Sequence, residues 1–226
     1  MPKEPNTAEL KLIEYLNQAY GKEKQLETAL QAHIGIAEAV KSRDAYKKRL
    51  TEHLKETKAH ARNVERRIKQ LGGKAELTPL PEAAAPVADT IVAAAGKLKE
   101  AVRGPLHTLR GTSPEDLLVK NAETELSEEF HEIAIYTALE TLAEAVGDKE
   151  TAKLAREHKR QEQRMATFLE KQIPVLTKAV ATTEIPRAER NGGRTTRRRS
   201  RSSSSRSRSS SSRSRSSSRS RSRARS

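Results

Sequence analysis

QAYGKEKQLETAL, residues 18–30, reads as an amphipathic helix with one odd position. An apolar seam runs through Leu12, Leu16, Ala19, Leu26 and Leu30, and Glu23 fills the slot between Ala19 and Leu26. Steps of three and four residues place all of these on one helix face. A carboxylate where leucine would pack has to be paired, protonated or bound to a metal, because an unpaired buried charge is costly.

Three more segments follow the same logic. The first helix spans about Thr7 to Ala37, with Thr7 as its expected N-cap. The second starts near Ser42 and ends at Gly72-Gly73, its seam on Tyr46, Leu50, His53, Thr57, Ala61, Val64, Ile68 and Leu71. The third opens at S113-P-E-D, Ser113 capping and Pro114 in the first turn, and Gly147 ends it. Its seam is Leu118, Ala122, Leu126, Glu129, Ile133, Tyr136 and Ala143. The fourth runs from Asp148 to about Ile173, before Pro174, along Leu154, His158, Glu162, Met165 and Leu169.

Strand signals are nearly absent. Short links, 38–44 and 146–149, make two antiparallel hairpins, and a long connection, 72–112, lies between them. That connection begins GGKAELTPLPEAAAP and carries a short apolar helix, VADTIVAAAGKLKEAV. The expected fold is all-α: a ferritin-like four-helix bundle over 1–180, with 72–112 as crossover, and a disordered tail over 181–226. The crossover helix has a face rich in small residues, which favours packing on the bundle over lying on a membrane.

Composition divides the chain in the same place. Of 226 residues 33% are charged and 3% aromatic, and the net charge is +14. From Arg187 onward there are fifteen arginines and one acid, Glu189, so the tail carries the whole excess and the remainder is neutral. Without cysteine there is no disulfide or thiolate site, and any metal must sit on oxygen and imidazole. No apolar run approaches the roughly 20 residues of a membrane span, and MPKEPNTAEL is no signal peptide. A cytoplasmic protein with no membrane partner is expected, its tail offering nucleoid association.

The acids on the seams are regularly spaced. Glu23 to Glu56 and Glu129 to Glu162 are both 33 residues, and an offset of 106 maps Leu12 onto Leu118 and Glu23 onto Glu129. The hairpins therefore read as copies of one unit, whose four carboxylates would converge at mid-bundle. His53 stands one turn before Glu56 and His60 one turn after it; Glu129 and Glu132 share a face, and His158 pairs with Glu162 at i, i+4. Candidate metal ligands are thus Glu23, Glu56, Glu129, Glu132, Glu162, His53, His60 and His158, a set suited to iron, manganese or zinc. The plainer alternative is a purely ionic polar layer. On that reading each histidine is a satisfied core residue, and Glu56, at the edge of its stripe, is a boundary acid. Glu125 and Glu128 read as solvated or helix-pairing charges, Glu52, Glu65 and Glu157 as surface, and Tyr20 and Tyr136 as packing.

The stretches LNQAYGKEKQLETAL, LTEHLKETKAHARNVERRIKQLGG, ETELSEEFHEIAIYTALETLAEAVG and REHKRQEQRMATFLEK resemble the YciE/YciF family of bacterial ferritin-like stress proteins. The likeness covers about residues 10–178, and H53-L-x-E56-T57 and E132-I-A-x-Y136 are its most specific pieces. It implies a ferritin-like fold, a homodimer, and a di-iron or di-manganese site on the acids matching Glu23, Glu56, Glu129, Glu132 and Glu162. It implies a stress association more than a defined reaction, so catalysis stays open. Well-known di-iron bundles carry Glu-x-x-His on two helices; here Ala59 follows Glu56 at i+3, Met165 follows Glu162, and Phe130 replaces the family's usual histidine. By bundle symmetry Glu56 and Glu162 would bridge two metals, with Glu23 and Glu129 terminal.

The tail, RRRSRSSSSRSRSSSSRSRSSSRSRSRARS, cannot bury a core. Its arginines (Arg197, Arg198, Arg199, Arg201, Arg206, Arg208, Arg213, Arg215, Arg219, Arg221, Arg223 and Arg225) suit non-specific phosphate contacts on DNA or RNA. No aromatics are interleaved, so base stacking is not expected. Its likeness to eukaryotic Arg/Ser splicing-factor domains is compositional, and serine phosphorylation would reverse its charge. The expected function is a metal-binding, stress-associated bundle tethered to nucleic acid. The alternatives are a non-catalytic DNA- or RNA-binding bundle with a structural acidic layer, and a phosphorylation-regulated scaffold.

Overall fold

Asn6, not Thr7, opens the first helix. Its side chain accepts the Glu9 N–H at 3.0 Å while Glu9 Oε2 accepts the Asn6 N–H at 2.7 Å, a reciprocal box that satisfies two end donors. The computed structural model describes residues 4–40, 43–77 and 113–190. Over these the chain forms α1 (Thr7–Ala39), α2 (Asp44–Gln70), α3 (Pro114–Ala145), α4 (Lys149–Glu184) and a single turn, α5 (Arg187–Arg190), with no strand among the described residues. The expected crossover helix and the tail arginines from Arg194 onward lie outside the described residues.

Two helices stop by the same device. Gly72 and Gly147 take positive φ (84° and 77°), which turns the chain back so that the following N–H reaches a carbonyl of the last turn. Gly73 N–H donates to Ile68 at 2.9 Å, and Asp148 N–H to Ala143 at 2.8 Å. Asp148 then caps α4 by accepting the Thr151 N–H at 3.0 Å. Arg67, near the end of α2, reaches Asp148, Glu150 and Thr151 at 2.5–2.8 Å and pins the second hairpin to the first.

Pro174 does not end the fourth helix, which continues to Glu184 and so past the expected domain boundary at 180. A proline inside a helix removes one backbone bond and clashes with the preceding turn. Burial beyond it offsets that cost: Leu176 is fully buried, and Ile173 and Val180 pack on the same core.

The helices form a square in which α1 touches α2 and α3, and α4 touches α3 and α2. His33 of α1 meets Glu125 early in α3, and Glu23 meets Tyr136 later in it, so these two helices run antiparallel. Asn63 facing His158, and Arg67 facing Asp148, set α2 and α4 antiparallel likewise. The end of α2 and the start of α3 therefore lie at opposite ends of the bundle, the arrangement of a ferritin-like fold with one long crossover. The core is in two parts. Leu12, Leu16, Val64, Ile68, Leu139 and Ala155 fill one end, and Leu26, Leu30, Leu50, Leu118, Met165 and Leu169 the other.

Replacing Pro174 by alanine restores the missing donor. The Pro174→Ala variant is expected to gain roughly 1 kcal/mol or more in urea unfolding. An unchanged or lowered midpoint would mean that the proline bend itself is required for Leu176 to pack.

Candidate metal centre

The two apolar clusters are separated by a polar layer. Glu23 from α1, His53, Thr57 and His60 from α2, Glu129 and Glu132 from α3, and His158 and Glu162 from α4 are all buried. All but Glu129 lie three or four residues from a buried apolar side chain of their own helix, and Glu129 lies so from the buried Glu125 and Glu132, so the periodicity that buries leucines buries these groups too.

Their donor atoms gather in two sets, Glu23, His60 and His158 in one, and His53, Glu129 and Glu162 in the other, the atoms of each set lying within 4.8 Å of one another. Glu162 spans both: Oε1 is 2.8 Å from His60 Nδ1 and Oε2 is 3.9 Å from His53 Nε2. His53 Nε2 lies 2.8 Å from Glu129 Oε1, and His60 Nδ1 lies 3.3 Å from Glu23 Oε1. Few of these approaches are hydrogen bonds. Both oxygens of Glu129, Glu132 and Glu162, Oε2 of Glu23, Nε2 of His53 and both nitrogens of His60 are buried without a hydrogen-bond partner. Buried polar atoms are nearly always satisfied, yet of these ten only five have an ion contact, and Glu23 Oε2, Glu129 Oε2, both oxygens of Glu132 and His60 Nε2 have neither, which marks room for a further partner. Nitrogen and oxygen donors with no thiolate fit a pair of divalent iron, manganese or zinc ions.

Glu56 departs from expectation. Its side chain is 29% exposed and turned to Arg49, whose Nη1 donates at 2.9 Å. It does not meet Glu162 as a bridge, because its place at the edge of the stripe lets it reach both solvent and Arg49, which hold its charge more cheaply than the core does. Instead it stands behind His53, 3.2 Å from Nδ1, and leaves Nε2 free to face Glu129. A carboxylate behind an imidazole is how ligating histidines are commonly oriented. The 33-residue symmetry is thus broken: Glu162 is buried, while its counterpart Glu56 is a supporting group.

Tyr136 does more than pack. Its hydroxyl donates to Glu23 Oε1 at 2.5 Å and lies 3.1 Å from His158 Nδ1. The His60 and His158 rings stack, with centroids 4.0 Å apart. Glu125, expected to be solvated or helix-pairing, is fully buried against His33, since position 125 falls on the inner face one turn before Glu129. Glu128 does pair helices, through Lys22. Lys22 is the layer's buried ammonium and was not singled out in the sequence, because lysine is so rarely buried. Leu126 and Ile133, placed on the seam, are only partly buried, and Glu125 and Glu132 take the inner positions beside them.

Electrostatics follow the crowding. Burial pushes Glu129 up to about 8 despite the opposing pull of His53. Burial, joined by the charges of Glu23, Glu162 and Glu129, lifts Glu132 well above the carboxylate range. Burial also raises Glu23, against the His60 contact. His60 is driven down by burial, but Glu162 and Glu23 outweigh this and bring it to about 10. His53 behaves alike, with Glu129 and Glu56 overriding burial. His158 falls to about 2 through burial and the neighbouring His60 charge. Burial lowers Lys22, although Glu132, Glu129, Glu125 and Glu23 surround it. Glu56 drops to about 2, held by His53 and Arg49.

A family model described as "Domain of unknown function (DUF892)" matches residues 7–182. Among solved structures the chain is similar to a Xanthomonas campestris protein at 22% identity, covering 78% of this chain and 97% of that one, with a TM-score of 0.58. It is similar to the Desulfovibrio desulfuricans bacterioferritin, described with a diiron site, at 19% identity over 77% and 85% of the chains, with a TM-score of 0.54. The Escherichia coli stress protein YciF is similar at 21% identity over 76% and 98%, with a TM-score of 0.51. These likenesses bear out the ferritin-like fold. No curated protein matches the sequence significantly. Among the described residues no helix is long and apolar enough to cross a membrane.

The protons held in this layer set a pH dependence. Folded Glu129 keeps its proton to about 8, against 4.5 ordinarily, and His60 to about 10, against 6.5. Between those limits the folded chain binds more protons than the unfolded one, so stability must fall as pH rises. His158, proton-free when folded, acts oppositely only below 6.5. The thermal midpoint of metal-free protein is expected to fall between about pH 6.5 and 9, and saturating Mn(II) to flatten or reverse that trend by replacing protons. A flat or rising metal-free midpoint across this interval would show that the layer is not protonated.

Proposed function

The chain belongs to the DUF892 family, and from that premise we propose that it binds two divalent metal ions, iron foremost, in its buried carboxylate–histidine layer, and that it serves as a stress-associated metal-handling protein. One observation carries this reading. Glu129, Glu132 and Glu162 are fully buried with no well-directed hydrogen bond on any carboxylate oxygen, Glu129 within reach of His53, and Glu162 of both His53 and His60. Charge supports the number two. With Lys22 committed to Glu128, and Glu125 to His33, four buried carboxylates remain, Glu23, Glu129, Glu132 and Glu162, and two divalent cations balance them.

On this reading Glu23, His60 and His158 would hold one ion and His53, Glu129 and Glu162 the other, with Glu132 adding its charge beside Glu23, Glu129 and Glu162. Iron held there supplies one-electron chemistry between Fe(II) and Fe(III), with dioxygen or peroxide as oxidant. The chain's own residues set the conditions. Glu56 fixes the His53 ring, Tyr136 fixes Glu23, and the apolar clusters on either side keep bulk water out. Protons displaced from Glu129, Glu132, His53 and His60 must leave as metal enters, so affinity rises with pH. The diiron site described for the bacterioferritin, and the description of YciF as a stress protein, lend the reading its iron and its context.

The tail extends the proposal. A segregated +14 arm gains affinity for DNA or RNA by counterion release, with little sequence preference, and would hold the bundle near the nucleoid. A dimer of bundles would present two such arms and bind with greater avidity.

Full-length protein grown with iron and manganese is expected to carry about two metal ions per chain by mass spectrometry, and Glu23→Ala with Glu129→Ala to lose most of them. Metal content unchanged by that pair of substitutions would leave only a structural acidic layer. Gel shifts with duplex DNA are expected to weaken steeply with salt, and to be lost on removal of residues 187–226. Equal binding by the truncated protein would refute the role given to the tail.

A further inference from the structure

Charge is sorted across the bundle, although the chain ahead of the tail is neutral as a whole. α1 and α3 carry fourteen acids and four lysines, whereas α2 and α4 carry nine acids and seventeen lysines and arginines. Since α1 touches α3, and α2 touches α4, the two pairs form opposite sides of the square. The cations bordering the acidic helices are used. Lys47 and Lys58 of α2 reach Glu38 and Glu27 of α1, and Arg156 and Lys159 of α4 reach Glu140 of α3. The outward cations are not. Lys55, Arg62 and Arg66 on α2, and Arg160, Arg164 and Lys171 on α4, are exposed and make no ion pair among the described residues. Steps of four and seven residues set each trio in one row along its helix. Glu52 and Glu157, three residues before Lys55 and Arg160, already face Lys48 and Lys153 at 3.9 Å.

We propose that this α2–α4 face is a second nucleic-acid contact, on which Lys55, Arg62, Arg66, Arg160, Arg164 and Lys171 bind the phosphates of a duplex and orient the bundle that the tail tethers. The proposal extends the tail reading given above and can fail apart from it. Unpaired like charges gathered on one side repel one another; a polyanion relieves that repulsion and releases its own counterions. Four of the six are arginines, whose planar forks suit phosphate oxygens. With Asn63 opposite His158, the antiparallel rows are offset and together cover roughly 25 Å of the bundle, most of a duplex turn. Phosphate is favoured over a protein or lipid surface by what the face lacks. Among the described residues no large apolar side chain is exposed on α2, nor on α4 before Val175. Protein interfaces are built round an apolar centre, and helices that lie on membranes insert an apolar face; phosphate contacts need neither. α4 also leads through Arg187 and Arg190 into the arginine run, so one polyanion can be gripped by face and tail together.

Binding of the full chain to a random-sequence DNA duplex tests this. The variant Lys55→Gln/Arg62→Gln/Arg160→Gln/Arg164→Gln is expected to lower the slope of log K against log salt by about 3 to 4. Lys11→Gln/Lys24→Gln/Lys120→Gln, on the opposite side, is expected to leave it unchanged. Because the chain has no cysteine, a single one can report contact. A photocrosslinker on Ala59→Cys, between Lys55 and Arg62, is expected to attach to the duplex, and one on Ala134→Cys, on the exposed side of α3, is not. These two variants keep every cation, so they decide even where the four-residue variant fails to fold. An unchanged slope in the folded four-residue variant, or equal crosslinking from both positions, overturns the proposal and leaves the tail as the whole grip. Phosphatidylglycerol vesicles bound as tightly as the duplex, through the same four cations, overturn it in favour of a lipid surface. Truncation at residue 187 separates the two contacts: equal binding without the tail refutes the tail and not the face.

Discussion

Like charges do not share an apolar interior unaided. Glu23, Glu129, Glu132 and Glu162 are drawn into one slab of the bundle by helical periodicity, and everything around them is arranged to make this tolerable. Histidines approach from α2 and α4, Tyr136 donates to one acid, Lys22 brings an ammonium from α1, and protons cling to acids that would otherwise have lost them. Replacement of such a layer by well-packed apolar residues is often neutral or stabilising, so its presence argues for use and not for stability alone.

Much of this was legible in the sequence because helices write their inner faces in steps of three and four. The seams of α1 and α2 match the buried residues position by position, Glu23 and His53 included. The glycine stops and the Ser113 cap were equally plain. Where the reading failed, it did so through preference for apolar residues. On α3, apolar periodicity puts Leu126 and Ile133 inward and reads Glu125 as a solvated or helix-pairing charge, whereas the chain buries Glu125 and Glu132 and leaves those apolar side chains at the margin. Lys22 and His33 escaped notice for the same reason. His33 follows Leu26 and Leu30 at seam spacing, a signal available but easily set aside for a polar residue. Pro174 shows the complementary error, a local rule overruled by packing two residues further on.

The 33-residue repeat was a true guide to the fold and an uneven one to the site. The matched spacing sets acids on facing helices of the bundle, yet the two hairpins differ in what they bury. Glu162 lies between both donor sets, and Glu56 has withdrawn to the rim behind His53. Equal spacing marks equivalent positions in the two hairpins; Arg49 gives Glu56 a partner that Glu162 lacks.

The Arg67 fork has a mechanical meaning. It clamps the end of α2 to the start of α4 at one extremity of the bundle, while deeper in, the same two helices meet chiefly through His60, His53 and Glu162. The hairpins are therefore like the two leaves of a clasp, with the guanidinium as hinge pin and the acid layer as latch. Whatever pairs or protonates the latch also decides how firmly the leaves are shut, so a change in its charge state is felt as a change in the rigidity of the whole body.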